Sequence, residues 1–270
     1  MRTFFISLFA LVFTASLALA QADTSTLRLD STSGPWTDTV DEDARAYAYD
    51  VQSDFVFQGQ TALRFELRDG DCFTAYPNNP AQGWDDCTRD RERAEVRERW
   101  NAPVDTDMWY SIMLYIPRDY EPMYPKQIFW QWHNGQWGPN MYFHLNDNRF
   151  HVDILTEEGL TTTQYQFGPS DLRLGQWHEL VVNVVWSGRE DLGRMDLYVN
   201  GQRYIAHRGA TLDSATYASG VGPYVKYGIY RSHLFRFDEP GPHPTHVLYF
   251  DEYRRGFSFA DVDVDRYAGD

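Results

Sequence analysis

The chain has 270 residues, carries 39 Asp and Glu against 24 Lys and Arg for a formal net charge of −15, and is 16% aromatic. That balance excludes a nucleic-acid partner, which calls for a basic surface, and beyond its first residues no apolar run is long enough to span a bilayer. The length suits one β-sandwich with a substantial core.

Residues 1–20 read as a secretory signal, with Arg2 as the positive start, Phe4 to Leu19 as the apolar stretch and Ala18-Leu19-Ala20 as the cleavage site; an end at Ala22 fits nearly as well. Losing Arg2 leaves 23 Lys and Arg in residues 21–270, which hold no linker, repeat or low-complexity tract and read as a single β-domain, secreted or periplasmic. Cys72 and Cys87 are the only cysteines and in an exported chain are expected to pair. Closing that loop contributes roughly 3 kcal/mol. It leads straight into the next segment, so it is expected to form a wall of the site.

From Arg91 to Arg99 the two-residue period of a strand sends Ala94 and Val96 to a core and lines up Arg93, Glu95 and Arg97 on the other face. In Gln127 to His133 the same period buries Ile128, Trp130 and Trp132 and projects Gln131 and His133. Met141 to Asn146 and Arg149 to Ile154 form a predicted hairpin, with Tyr142 and His144 facing outward as candidate substrate contacts. Gly175 to Trp186 and Arg194 to Asn200-Gly201 read as a second strand pair ending in a tight turn, with His178 in a structural role. In Tyr224 to Ser232, Val225, Tyr227 and Ile229 take one face, and Lys226, Gly228 and Tyr230 the other. A glycine between a lysine and a tyrosine suits close approach of a flat sugar ring to the backbone. Val247 to Tyr253 is the last predicted strand. Arg91, Arg93, Arg97, Lys126 and Lys226 can supply a local positive field within an acidic protein.

Arg93-Ala94-Glu95-Val96-Arg97, Gln131-Trp132-His133 and Lys226-Tyr227-Gly228-Ile229-Tyr230, in this order and approximate spacing, resemble the three motif strands of the jelly-roll polysaccharide lyases, the group of the alginate lyases of this fold, glucuronan lyases and heparinase I. The resemblance implies an all-β, concanavalin-like jelly roll of two antiparallel sheets with a concave substrate groove. It also implies a monomeric enzyme acting on an anionic polysaccharide, with no cofactor needed for the chemistry. In related jelly rolls an aspartate of the closing strand helps hold a structural calcium, and Asp251 matches it.

Such enzymes remove the proton at C5 of a uronate and expel the glycosidic oxygen at C4, so the carboxylate at C5 must be neutralised as charge develops. By resemblance that task falls to Gln131 and Arg93, with Arg97 and Arg91 binding substrate, Glu95 orienting the arginines, and His133 and Tyr230 moving protons. Lys226 is expected to lower the Tyr230 pKa. The Gln131-Trp132-His133 form favours glucuronan; alginate, heparin-type polymers and a non-catalytic carbohydrate-binding module are the alternatives. Hydrolysis is disfavoured, because the Glu-x-Asp-x-Glu strand of laminarinase-like enzymes is missing.

Overall fold

The computed structural model describes residues 36–38, 45–74, 85–135, 138–146, 149–157, 160–168, 173–237 and 239–264; the expected secretory segment, residues 1–20, lies outside them. Among the described residues the chain forms two seven-stranded antiparallel sheets. The first runs β1 (Trp36–Asp38), β4 (Arg91–Glu98), β13 (Tyr224–Ser232), β6 (Gln127–His133), β7 (Pro139–Asn146), β8 (Arg149–Ile154), β9 (Thr163–Phe167). The second runs β12 (Gln202–Arg208), β11 (Arg194–Val199), β10 (Gln176–Val185), β5 (Asp107–Ile116), β14 (His246–Gly256), β3 (Ala62–Leu67), β2 (Tyr49–Gln52). A short helix, α1 (Ser214–Ser219), is capped by Asp213, whose carboxylate accepts from the Thr216 amide.

The two sheets close on one apolar core, as the alternation of their strands dictates. Ala94, Val96, Val225, Tyr227 and Ile229 of the first sheet meet Phe65, Tyr110, Ile112 and Phe250 of the second. The Tyr110 and Trp132 rings stand 5.2 Å apart and the Phe65 and Tyr227 rings 5.9 Å apart, both edge to face. The β7–β8 hairpin follows its predicted pattern, with Met141, Phe143, Leu145, Phe150, Val152 and Ile154 all in this core. His178 is buried there too, its Nε2 bonded to the Arg173 carbonyl at 3.0 Å.

Two register slips shape the site face, and the first breaks the expected alternation. The register between β6 and β7 slips between Ile128 and Trp130, so Phe129, not Ile128, enters the main core. Ile128 turns to the other face, where it packs with Tyr142, Leu155 and Tyr230. The register of β13 against β6 slips between Tyr227 and Tyr230, around Gly228. Gly228 has φ +134°, and a Cβ there would fall 2.3 Å from the Ala94 carbonyl oxygen and 3.1 Å from the Phe65 ring. The glycine is therefore required by the bulge and by its contact with β4, and not, as expected from its place between Lys226 and Tyr230, by approach of a sugar.

Candidate active site

With Ala94, Val96, Tyr227, Trp130 and Trp132 committed to the core, the strands β4, β13 and β6 turn their other residues away from the second sheet. Their pairing aligns Arg97 with Lys226 and Lys226 with Gln131, and Arg93 with Tyr230; His133 stands opposite Tyr224. The three predicted motifs thus occupy adjacent strands of one face.

Glu95 is the hub. It is fully buried, and its carboxylate accepts from Lys226 Nζ, from Gln131 Nε2 at 2.5 Å and from Arg93 Nη1 at 3.3 Å. Arg93 makes a bidentate pair with Asp86, Nε to Oδ2 at 2.6 Å and Nη2 to Oδ1 at 3.0 Å. Its guanidinium also lies 4.4 Å above the Tyr230 ring centroid. Removing one partner from a buried network of this kind strands a charge and costs about 3–5 kcal/mol.

Asp86 was not legible as a site residue, since it belongs to the loop ahead of β4, where periodicity carries no signal. It is held by its neighbourhood: Cys87 is disulfide-bonded to Cys72, and the Asp86 amide donates to the Phe73 carbonyl at 2.8 Å. The predicted disulfide therefore serves the site by anchoring the carboxylate that aims Arg93. Residues 75–84, the body of the expected wall, lie outside the described residues.

Arg93, Arg97 and Lys226 gather around Asp86 and Glu95 in a protein whose overall charge is −15. Arg97 is exposed and lies 3.9 Å over the Tyr224 ring. Burial first, and Arg93 second, pull the Lys226 ammonium down to about 8. Lys226 faces Glu95 rather than Tyr230, and the Tyr230 phenol is pushed up to about 12 by its burial, with Arg93 opposing. The expected Lys226 effect on Tyr230 is replaced by a buried ion pair.

His133 and Tyr230 keep partial exposure while Glu95, Gln131 and Lys226 between them are closed off. The imidazole of His133 is held neutral, well below the usual histidine range, by burial and by Lys226, Arg93 and Arg97. Its Nδ1 accepts from the Gly135 amide at 2.9 Å and lies 3.3 Å from the Tyr224 hydroxyl. Tyr224 shares the face of Lys226, so its place was readable, yet no motif singled it out.

Further along the same face, Tyr142 and His144 are buried and turned to Asp153, Tyr142 donating its hydroxyl at 2.5 Å and His144 Nε2 lying 3.2 Å away. Gln164 and Thr161 also donate to Asp153, at 2.7 and 3.2 Å, and hydrogen bonds from His144 and these neighbours hold its carboxyl well below the usual range against its burial. Lys126 Nζ donates to the Tyr142 hydroxyl at 2.5 Å. Tyr142 and His144 are thus engaged within the floor. Arg91 is half-buried and, with Lys126 and Arg236, forms a second positive region beyond Tyr230.

Asp251 does not suit a calcium ion. Its carboxylate accepts three backbone N–H bonds, from Phe57 at 2.9 Å, Gln58 at 3.2 Å and Glu252 at 2.8 Å, so the groups gathered around it are donors where a cation needs oxygen ligands. Burial pushes this carboxyl up to about 6. The residue anchors the loop between β2 and β3.

A family profile described as polysaccharide lyase matches residues 29–254. No curated protein matches the chain. Among solved structures, an endo-β-1,4-glucuronan lyase from the fungus Trichoderma reesei is similar, with a TM-score of 0.60 and 16% identity over 84% of this chain and 96% of that one. An alginate lyase from Pseudomonas aeruginosa gives 0.51 and 19% over 77% and 87%. A family 7 alginate lyase in complex with its product gives 0.53 and 13% over 77% and 83%. These structures share the β-jelly-roll fold with this chain.

Proposed function

The chain belongs to the polysaccharide lyase family, and from that premise we propose that it is an exported carbon–oxygen lyase that cuts a uronate polymer by β-elimination, with glucuronan the favoured substrate over alginate. The observation that carries this reading is the gathering of Arg93, Arg97 and Lys226 around Glu95, flanked by His133 and Tyr230 on the same face. An acidic protein that gathers Arg93, Arg97 and Lys226 in one place is built to receive an anion there.

The chemistry needs this field. The C5 proton of a uronate is weakly acidic, and it becomes removable when the adjacent carboxylate is met by positive charge and hydrogen-bond donors fixed in advance. Arg93 is fixed by Asp86 and Glu95, and Gln131 by Glu95; both therefore meet the substrate without reorganising. Arg97, exposed at the edge of the cluster, suits binding of a carboxylate of the polymer. Proton transfer falls to His133 and Tyr230, the two partly exposed titratable groups flanking Gln131 and Lys226. The electron pair of the C5–H bond becomes the C4=C5 double bond as the C4–O bond breaks, and the leaving oxygen takes a proton.

No water enters this reaction, which gives a direct test. Digestion of glucuronan in water enriched in heavy oxygen should yield new chain ends without the label, each pair of fragments including one unsaturated uronate. Incorporation of labelled oxygen at every cut would mean hydrolysis and would overturn the reading.

A further inference from the structure

We propose that Asp213 is a positioning residue for the elimination: its buried carboxylate fixes the turn that follows β6 and so sets where the His133 ring stands at the site. This rests on the β-elimination reading and adds to it a residue from outside the three motif strands.

Backbone pairing alone does not hold His133 on its β7 side. The β6–β7 ladder also slips between Trp132 and His133, and His133 is the last residue of its strand, opposite Pro139, which has no N–H to give. The next backbone bond, from the Asn134 amide to the Gly138 carbonyl, is long at 3.4 Å. Side chains take over there. Gly135, with φ +82°, donates its amide to His133 Nδ1 at 2.9 Å, so the position of the turn is passed directly to the ring.

Asp213 is 3% exposed, and its two oxygens have different tasks. Oδ1 caps α1 by accepting from the Thr216 amide at 2.8 Å, which is all that a helix cap requires. Oδ2 collects the Thr216 hydroxyl at 2.6 Å, the Asn140 side-chain amide at 2.8 Å and the Asn134 side-chain amide at 3.2 Å. Asn134 also donates to Thr216 Oγ1 at 2.6 Å, so the turn is tied to α1 twice. Burial opposes the charge on Asp213, and hydrogen bonds from Thr216 and Asn140 outweigh it, keeping the carboxyl below its usual range. The residues before it are pinned to the second sheet. The Thr211 and Leu212 amides donate to the Ser187 carbonyl at 2.8 and 3.1 Å, and Thr211 Oγ1 donates to the Val185 carbonyl at 2.7 Å. Asp213 therefore carries the placement of β10 across to the end of β6.

The donor and acceptor pattern of this network can be broken and restored. In Asp213→Asn the new amide, whichever way it turns, sets an N–H group against other donors. Asn134→Asp brings two carboxylates together instead. With both changes a carboxylate at position 134 faces an amide at 213, the Thr216 hydroxyl turns to the new carboxylate, and the Asn140 amide, whose Oδ1 already lies 3.3 Å from Asn134 Nδ2, turns over. Every donor then has an acceptor again, and the turn regains its place.

The test is steady-state turnover of glucuronan by the full chain, read as unsaturated product, for Asp213→Asn, Asn134→Asp and the double variant. Each single variant should lower kcat by about ten- to a hundredfold with KM within about threefold, and the double should return kcat to within about fivefold of the unchanged protein. Nitrogen NMR of histidine-labelled protein gives a readout independent of turnover. The His133 signals, assigned by their loss in His133→Gln, should move in both single variants and return in the double, with those of His178 and His246 unmoved. Asn134→Ala covers the case in which Asp213→Asn does not fold, since it leaves the cap on α1 intact while cutting the turn loose; it should lower kcat to a similar extent. Single variants that melt earlier yet keep kcat, or a double variant whose loss is the product of the two single losses, would show that Asp213 serves only the fold, and would leave β-elimination standing. Absence of unsaturated product from the unchanged protein on every uronate polymer removes the underlying reading and this proposal with it.

Discussion

Two buried carboxylates on the same face of the first sheet are surrounded in opposite ways. Glu95 is met by an ammonium, a guanidinium and one amide, so two cations contact it directly and Arg97 stands on the neighbouring strand position. Asp153 is met by a phenol, a neutral imidazole, an amide and a hydroxyl, and its single neighbouring ammonium, Lys126, is held one residue away on Tyr142. Neutral donors satisfy an anion and create no field beyond it; cations satisfy it and attract another. The difference is why the proposal places the chemistry at the Glu95 region and treats the Asp153 region as a floor that keeps the strands in register.

The comparison is broken most severely at Tyr230. Tyr230→Phe keeps the ring against Arg93 and Ile128 and removes only the hydroxyl, so the expectation is a loss of about a thousandfold in kcat with an unchanged melting temperature, read by steady-state kinetics and thermal denaturation. Asp86→Asn comes next. It removes the charge that aims Arg93 without touching the face itself, and a guanidinium displaced by about 1 Å is expected to lower kcat on the order of a hundredfold. A KM change without a kcat change would show that Arg93 only binds.

Asp153→Asn sharpens the contrast from the other side. It disturbs a buried hydrogen-bond set and should cost about 1–3 kcal/mol in denaturant unfolding, while kcat for the folded protein stays within about threefold. A large kcat loss here would erase the distinction between the two regions. The smallest effect concerns pH. Lys226 titrates near 8 in the folded chain against an ordinary value of 10.5, so across that window the unfolded chain holds the extra proton and this group's contribution to stability rises with pH. The same deprotonation removes one positive charge from the site, and KM for the polymer is expected to rise as pH passes 8.

Much of this was readable because strands announce their faces. Arg93, Glu95, Arg97, Gln131, His133, Lys226 and Tyr230 all fall on the side that a two-residue period assigns them, and the jelly-roll resemblance followed from those strands. The period failed at Ile128, where one extra residue exchanges the faces locally, and it could not show that Gly228 answers to close contact with β4. It was also silent for β5, at the centre of the second sheet. There Trp109, Met113 and Tyr115 alternate with Met108, Tyr110, Ile112 and Leu114, so both faces are apolar and no contrast remains to be read. Asp86 escaped because its role depends on a disulfide and a loop, and the part Asp251 plays in holding the Phe57 and Gln58 amides depends on a contact nearly two hundred residues away in the chain.

The cationic face around Glu95 is proposed to perform elimination on a uronate polymer. Ultraviolet absorbance tests it most directly, because each cut creates a conjugated unsaturated uronate. The protein incubated with glucuronan should give a steady rise in absorbance that Tyr230→Phe abolishes; polymer shortening with no absorbance change, or a rise undiminished by Tyr230→Phe, would contradict elimination at this face.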